Sequence, residues 1–166
     1  SLFSAIESEY NKLKEFISSD TMDKPVVMLG LPFRDTWYIS PGNSYISRLI
    51  SDAGGKYIWE KTESSVSMPF GLENVYIQSL NADFWLNPGS VLSKDEIISL
   101  DPRLGSVPPF INGMIFNNNK RLNKQGGNDY WESGAVHPSL ILKDIAAILH
   151  PEIFGDREPV YYRKVN

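Results

Sequence analysis

The sequence predicts an α/β domain, a three-layer α/β/α sandwich on a mainly parallel sheet of about four to five strands. Three observations carry this expectation. Short apolar runs bounded by proline or glycine, such as Pro25 to Leu31 (PVVMLGL), have the pattern of strands buried on both faces. Between them lie segments whose apolar residues recur every three or four positions, and several of these carry their own start and stop signals. Strands separated by helices are joined by right-handed crossovers, which place helices on the faces of a parallel sheet.

The chain opens on an amphipathic helix, with Phe3, Ile6, Tyr10, Leu13 and Ile17 at helical spacing and Glu7, Glu9, Lys12 and Lys14 between them. This helix either covers the domain's own sheet or carries a preceding domain. After the first strand, the loop PFRDTWYISPGN runs to Asn43, a candidate N-cap. Tyr45, Ile46, Leu49 and Ile50 then form a helical stripe that Ala53-Gly54-Gly55 ends. Lys56 to Trp59 reads as a second strand, followed by a polar loop and a helix from Leu72 to Leu80. Ala82 to Asn87 is a third strand. Ser93 and Glu96 form a capping box, in which hydroxyl and carboxylate each satisfy a backbone N–H, and its helix runs to Leu100 before Pro102. A fourth strand is expected over Gly113 to Asn117. The stretch from Asn117 to Asn128 exceeds an ordinary connection and is either a functional loop or a hairpin. Tyr130, Trp131 and Glu132 then crowd rings and a carboxylate into a loop between Gly127 and Gly134. Pro138 opens a last helix with Leu140, Ile141, Ile145, Ile148 and Leu149 on its apolar stripe, interrupted by Asp144, and His150-Pro151 stops it. The tail after Phe154 has no period and either returns along a sheet edge or frays.

At 166 residues the chain fits one domain with a core of its own. It has no cysteine, which excludes thiolate metal sites, iron–sulfur clusters and thiol nucleophiles but leaves the compartment open. With 16 Lys+Arg against 20 Asp+Glu the formal net charge is −4, so there is no basic surplus for nucleic acid. No apolar run approaches the ~20 residues of a membrane-spanning helix, and the first residues lack the basic-apolar-small pattern of a signal segment.

In an open parallel sheet, ligands bind beyond the carboxyl ends of the strands. The loops there hold Arg34, Trp37 and Tyr38; then Trp59, Glu60 and Glu63; then Asn87-Pro88-Gly89; and finally Asn117 to Asn119 with Arg121, reaching Tyr130, Trp131 and Glu132. Aromatic faces with sparse polar groups suit a large, partly flat ligand better than a phosphate. Trp59 and Trp85 lie in or at the ends of strands and are expected in the core, and Arg34 and Asp35 can pair with each other at the surface. Catalytic signals are weak. His137 and His150 each precede a proline without metal-ligand spacing, and no GxxxxGK[ST], GxGxxG or GxSxG occurs. The enzymatic alternative is a small α/β hydrolase acting on glycosides, with Glu132 paired to Glu60 or Glu63 as catalytic carboxylates. No resident cofactor or metal-ligand set is expected.

The succession of KPVVMLG, an aromatic loop, the AGG helix end, SMPFGLEN, ADFWLN and NDYWESGAVHPSLILKDIAAILHPEIF resembles the C-terminal half of the substrate-binding proteins of ABC importers for ferric siderophores, haem and cobalamin. Its most specific part is W-E-S-G followed by P-x-L-x-L-K-D and L-H-P-E. In that family one long helix joins two lobes and the ligand lies between them. The resemblance implies that residues 1–20 end the connector helix and that 21–166 are the C-terminal lobe of a longer, two-lobe protein. It implies ligand contacts at Arg34, Trp37, Tyr38, Asn87, Trp131 and Glu132. Glu73 in GLEN matches the family's permease-docking carboxylate, with a stabilising first-turn charge as the alternative role. The implied ligand is an iron chelate, haem or cobalamin, bound without turnover, and the implied partner is an ABC permease dimer. A periplasmic or cell-surface location follows, with membrane attachment only through a leader or lipid anchor and a lobe that is itself monomeric.

Overall fold

A computed structural model describes residues 1–19 and 23–166; the domain boundary expected at residues 20 and 21 falls outside them. The strands in chain order are β1 (Val26–Leu29), β2 (Pro32–Phe33), β3 (Thr36–Ile39), β4 (Lys56–Tyr57), β5 (Met68–Gly71), β6 (Phe84–Leu86), β7 (Ile115–Asn117) and β8 (Arg163–Lys164). The helices are α1 (Leu2–Ser18), α2 (Tyr45–Asp52), α3 (Leu72–Ser79), α4 (Lys94–Leu100), α5 (Pro108–Ile111), α6 (Asp129–Val136), α7 (Pro138–Leu149) and α8 (Pro151–Phe154). A 3₁₀ turn over Pro102–Ser106 follows α4. The main sheet has five strands in the order β4-β1-β6-β7-β8, parallel except for β8, which returns antiparallel along β7.

Because side chains alternate across a strand, each central strand feeds two cores. Val27, Leu29 and Leu86 point to one face, where they meet Ile17 of α1, Leu49 and Ile50 of α2, and Leu142, Ile145 and Leu149 of α7. Met28 and Trp85 point to the other, against Leu72 and Val75 of α3 and Ile97 of α4. Two buried faces explain why the strands read as continuous apolar runs and give the three layers expected of them.

Several expectations need correction. The stretches around Thr36 and Met68, read as loops, form a second, antiparallel sheet, β2-β3-β5, in which Trp37 lies opposite Phe70 and Ile39 opposite Met68. Trp37 and Ile39 pack it onto the second core, so that outer layer is part sheet and part helix. The strands are two to four residues long, too short for alternation alone to reveal them, and β5 lies far from β3 in sequence. Likewise Tyr130 to Glu132 lie in helix α6 rather than in a loop. Its start is fixed by Asn128, whose Oδ1 accepts from the Tyr130 N–H at 3.0 Å, with Asp129 and Glu132 in the favourable first turn. Helix α2 is capped by Ser44, not Asn43; the Asn43 side chain instead accepts from the Ser64 N–H.

The signals at other ends hold. Ser93 Oγ accepts from the Glu96 N–H at 3.3 Å, while the Glu96 carboxylate reaches back to the Leu92 N–H at 2.7 Å. Gly54 adopts φ +82 after α2, and a Cβ there would come within 2.6 Å of His150 Nε2, which donates to the Gly54 carbonyl at 2.8 Å. The glycine stop thus also lets the end of α2 dock on the end of α7.

The tail is held by one buried carboxylate. Asp144, the polar interruption of the α7 stripe, is fully buried; its oxygens accept from Arg157 (2.7 Å) and from the backbone N–H groups of Val160 (3.0 Å) and Tyr161 (2.7 Å). Replacing it strands a guanidinium and two amides. We expect Asp144→Ala to cost about 3–5 kcal/mol in urea denaturation, with a smaller loss for Arg157→Ala because the two backbone bonds remain. A cost for Asp144→Ala below about 1 kcal/mol would remove it from this role.

Candidate ligand-binding site

The parallel strands β1, β6 and β7 end on a common edge, and a cleft of about 800 Å³ opens there, within the range of small-molecule and cofactor sites. Leu29 and Gly30 after β1, Asn87 after β6 and Asn118 and Asn119 after β7 form its base. Tyr38 of β3, Tyr45 of α2 and Trp131 of α6 form its aromatic sides, with Ile46 of α2 beside them.

The shape of the base comes from polar side chains spent on the backbone. Trp37 Nε1–H donates to the Leu29 carbonyl at 3.0 Å and Trp85 Nε1–H to the Gly30 carbonyl at 2.9 Å, so two neighbouring indoles, tilted by 35°, cap the carbonyls where β1 ends. Asn117 donates from Nδ2 to the carbonyls of Gly89 and Val91, and Asn119 to that of Val91. Asn128 donates to the Asn118 carbonyl, tying the 119–127 segment to the β7 end. Asn87 sits at φ +53, a left-handed conformation that asparagine tolerates, and its Oδ1 accepts from the Tyr162 hydroxyl at 2.7 Å.

Tyr130 lies under this base. Its hydroxyl faces those of Tyr162 and the amides of Asn118 and Asn87, and its ring meets those of Trp131, Tyr161 and Tyr162 edge to face. Burial pushes its phenol up to about 12, and pushes that of Tyr162 well above its ordinary value. Partial burial also raises Tyr45.

The structure separates the six residues proposed as ligand contacts. Tyr38, Asn87 and Trp131 line the cleft, and Tyr38 and Trp131 remain 57% and 69% exposed at its mouth. Trp37 does not: it is 1% exposed, packed on Trp85 in the second core. Alternation along β3 decides this, since neighbouring residues of a strand face opposite ways. Arg34, at φ +56 in the β2–β3 turn, holds its guanidinium 5.5 Å from the Phe33 ring and is not part of the cleft lining. Glu132 borders a separate outer depression with Arg121, Asn123 and Asp129. Neither Glu60 nor Glu63 borders it, and Asp129 is engaged by Arg121 and Ser133. A catalytic pair at Glu132 therefore has no support.

Glu73 is exposed in the first turn of α3, close enough to Arg103 to stabilise that guanidinium's charge behind its main partner Asp101. Sequence reasoning missed Tyr45 and Ile46 as lining residues, because both were read only as the apolar stripe of α2; Asn118 and Asn119 belong to the Asn117 to Asn119 run expected at the carboxyl end of the fourth strand.

Trp37 and Trp131 are expected to behave oppositely. Trp37→Ala, which opens a core cavity and orphans the Leu29 carbonyl, should cost about 3–5 kcal/mol in urea denaturation. Trp131→Ala should stay within about 0.5 kcal/mol of the parent protein; equal losses would contradict this division. Alkali provides a second check. Because folding raises the Tyr130 pKa from the ordinary value of about 10, its contribution to stability is whole below pH ~10 and is lost as pH rises towards about 12. Tyrosinate absorbance followed with far-UV circular dichroism should show unfolding accompanying ionisation in that window, and Tyr130→Phe should weaken the effect.

No protein-family model matches the chain. It is 26% identical over 161 residues to one uncharacterised lipoprotein of Methanocaldococcus jannaschii and 26% identical over 128 residues to another. These alignments cover 95% and 74% of this chain but 36% and 30% of the relatives, so the chain spans about a third of their length. Among solved structures it is similar to the TroA-like periplasmic binding protein FepB of Veillonella parvula (TM-score 0.64, 14% identity, 99% of this chain and 55% of that one). It is similar also to the periplasmic haem-binding protein RhuT of Roseiflexus (0.62, 19%, 90% and 54%). A third is the triscatecholate siderophore-binding protein FeuA of Bacillus subtilis, complexed with ferri-bacillibactin (0.56, 18%, 89% and 52%). The chain has the fold of TroA-like periplasmic binding proteins, over about half of their length.

Proposed function

We propose that this chain is the C-terminal lobe of a substrate-binding protein of an ABC importer, which captures a bulky metal complex such as a ferric siderophore, haem or cobalamin and delivers it to a permease. The observation that carries the reading is the open, aromatic-sided cleft at the carboxyl ends of β1, β6 and β7. Large rings left exposed at its mouth mark an interaction surface, and in this reading the missing half of the enclosure is a first lobe. Helix α1 fits the end of a connector. Its C-terminal half packs on α7 and α2 through Tyr10, Leu13 and Ile17, while Leu2 and Phe3 at its start are 78% and 75% exposed. The similarity to named lipoproteins and periplasmic proteins supports a place outside the cytoplasm, with a lipid anchor in the longer protein. Similarity to binding proteins, together with an outlying Glu132, favours capture without turnover over glycoside hydrolysis.

The test uses the full-length protein. Mass spectrometry of the co-purified ligand identifies the cargo, and tryptophan fluorescence titration measures its affinity. Trp131→Ala should weaken binding by about 10-fold or more, as truncation of an aromatic anchor does. Glu73→Arg should leave affinity nearly unchanged and reduce uptake in cells, because a rim charge governs encounter with the permease more than ligand binding. Unaltered affinity in Trp131→Ala would sink the cleft assignment; normal uptake with Glu73→Arg would leave Glu73 as a helix-start carboxylate.

A further inference from the structure

The cleft has an electrostatic property that bears on its cargo. Among the described residues, no Asp, Glu, Lys, Arg or His lines it. Its lining combines amides and phenols with the aliphatic Leu29, Ile46, Leu92 and Leu122, and Tyr38, Tyr45 and Trp131 stand at its mouth. Four neighbouring cations have partners of their own, while Lys124 is exposed outside the lining, between Leu122 and Gly126. Arg121 pairs with Asp129 at 2.8 Å, and Lys120 pairs with Glu158. Arg163 donates to Asn119 Oδ1 and to the Leu92 carbonyl, so it braces the wall from behind, and Arg34 lies over Phe33.

Many of the amides are committed as well. Both ends of the Asn119 side chain are used, by Val91 and Arg163, and both ends of Asn128, by the Asn118 carbonyl and the Tyr130 N–H. Charge-assisted hydrogen bonds are therefore unavailable here, and a charged group turned towards this surface would lose water without gaining a counter-charge. Flat apolar surface and neutral donors or acceptors, by contrast, find rings, aliphatic walls and hydroxyls.

We infer that the ligand turns an uncharged face to this surface, so that this lobe favours neutral metal complexes with hydroxamate-like or amide-bearing shells over strongly anionic chelates and oxyanions. The inference rests on the binding-protein reading and narrows it by charge.

Four probes test it on the full-length protein by fluorescence titration: a ferric trihydroxamate, cyanocobalamin, a ferric triscatecholate and molybdate. At least one of the first two should bind more tightly than either anionic probe by roughly 100-fold, the scale of a missing charge-assisted contact. Ser90→Arg, which places a guanidinium on the exposed lining residue Ser90, should narrow that gap by improving triscatecholate binding. Lys124 is exposed between the lining residues Leu122 and Gly126, so Lys124→Ser is the control and should leave the ranking unchanged. Triscatecholate or molybdate binding as tight as that of the neutral probes would overturn the inference while sparing the importer reading. A ranking that Lys124→Ser reverses would also overturn it. Failure of all four probes to bind would overturn the inference, while the importer reading stands or falls with the co-purified ligand.

Discussion

Asp144 is the group on which the geometry of this molecule turns. A carboxylate in the middle of an otherwise apolar helix face is costly to bury, and here three donors offset the cost: the Arg157 guanidinium and the N–H groups of Val160 and Tyr161. Those bonds fix where the tail re-enters the core. Tyr161 and Tyr162 then fill the space beneath α6, β8 pairs with β7, and the Tyr162 hydroxyl reaches Asn87 at the base of the cleft. A bond network begun on the helical side of the sheet thus ends at the surface offered to a ligand.

A second constraint comes from the carbonyls at the end of β1. They emerge where the sheet stops, and the indole N–H groups of Trp37 and Trp85 satisfy them from the opposite face. This welds the small antiparallel sheet to the main one and commits Trp37 to structure. Tyr38, its neighbour, is consequently presented outward. Division of labour between adjacent aromatics is what keeps the cleft both rigid at its base and exposed at its mouth.

The resulting surface is uncharged among the described residues. Its donors and acceptors are amides, phenols and hydroxyls, and the carboxylates once considered for catalysis lie elsewhere. Such a surface discriminates by shape, ring contact and the absence of charge, which agrees with the proposed role of capturing a bulky complex between two halves.

Local patterns in the sequence determined a good deal. Apolar runs set off by proline and glycine placed β1, β6 and β7, the Ser93–Glu96 box placed α4, and Ala53-Gly54-Gly55 placed the end of α2, because each depends on interactions within a few residues. With those elements in order, the carboxyl-end rule pointed to the segments that carry Arg34, Trp37, Tyr38, Asn87, Trp131 and Glu132, without saying which of these side chains line the cleft. The structure decided the rest. Whether Trp37 or Tyr38 faces the ligand depends on the pairing of β3 with β5, some thirty residues away, and a one-residue change of register would exchange them. Whether Trp131 or Glu132 faces the cleft depends on α6 being a helix, whose turn of about 100° per residue sends neighbours to different sides. The partner that fixes the first choice comes from a distant segment that no local pattern encodes, whereas the second turns on the Asn128 cap, a local signal hidden by the glycines on either side that read as a loop.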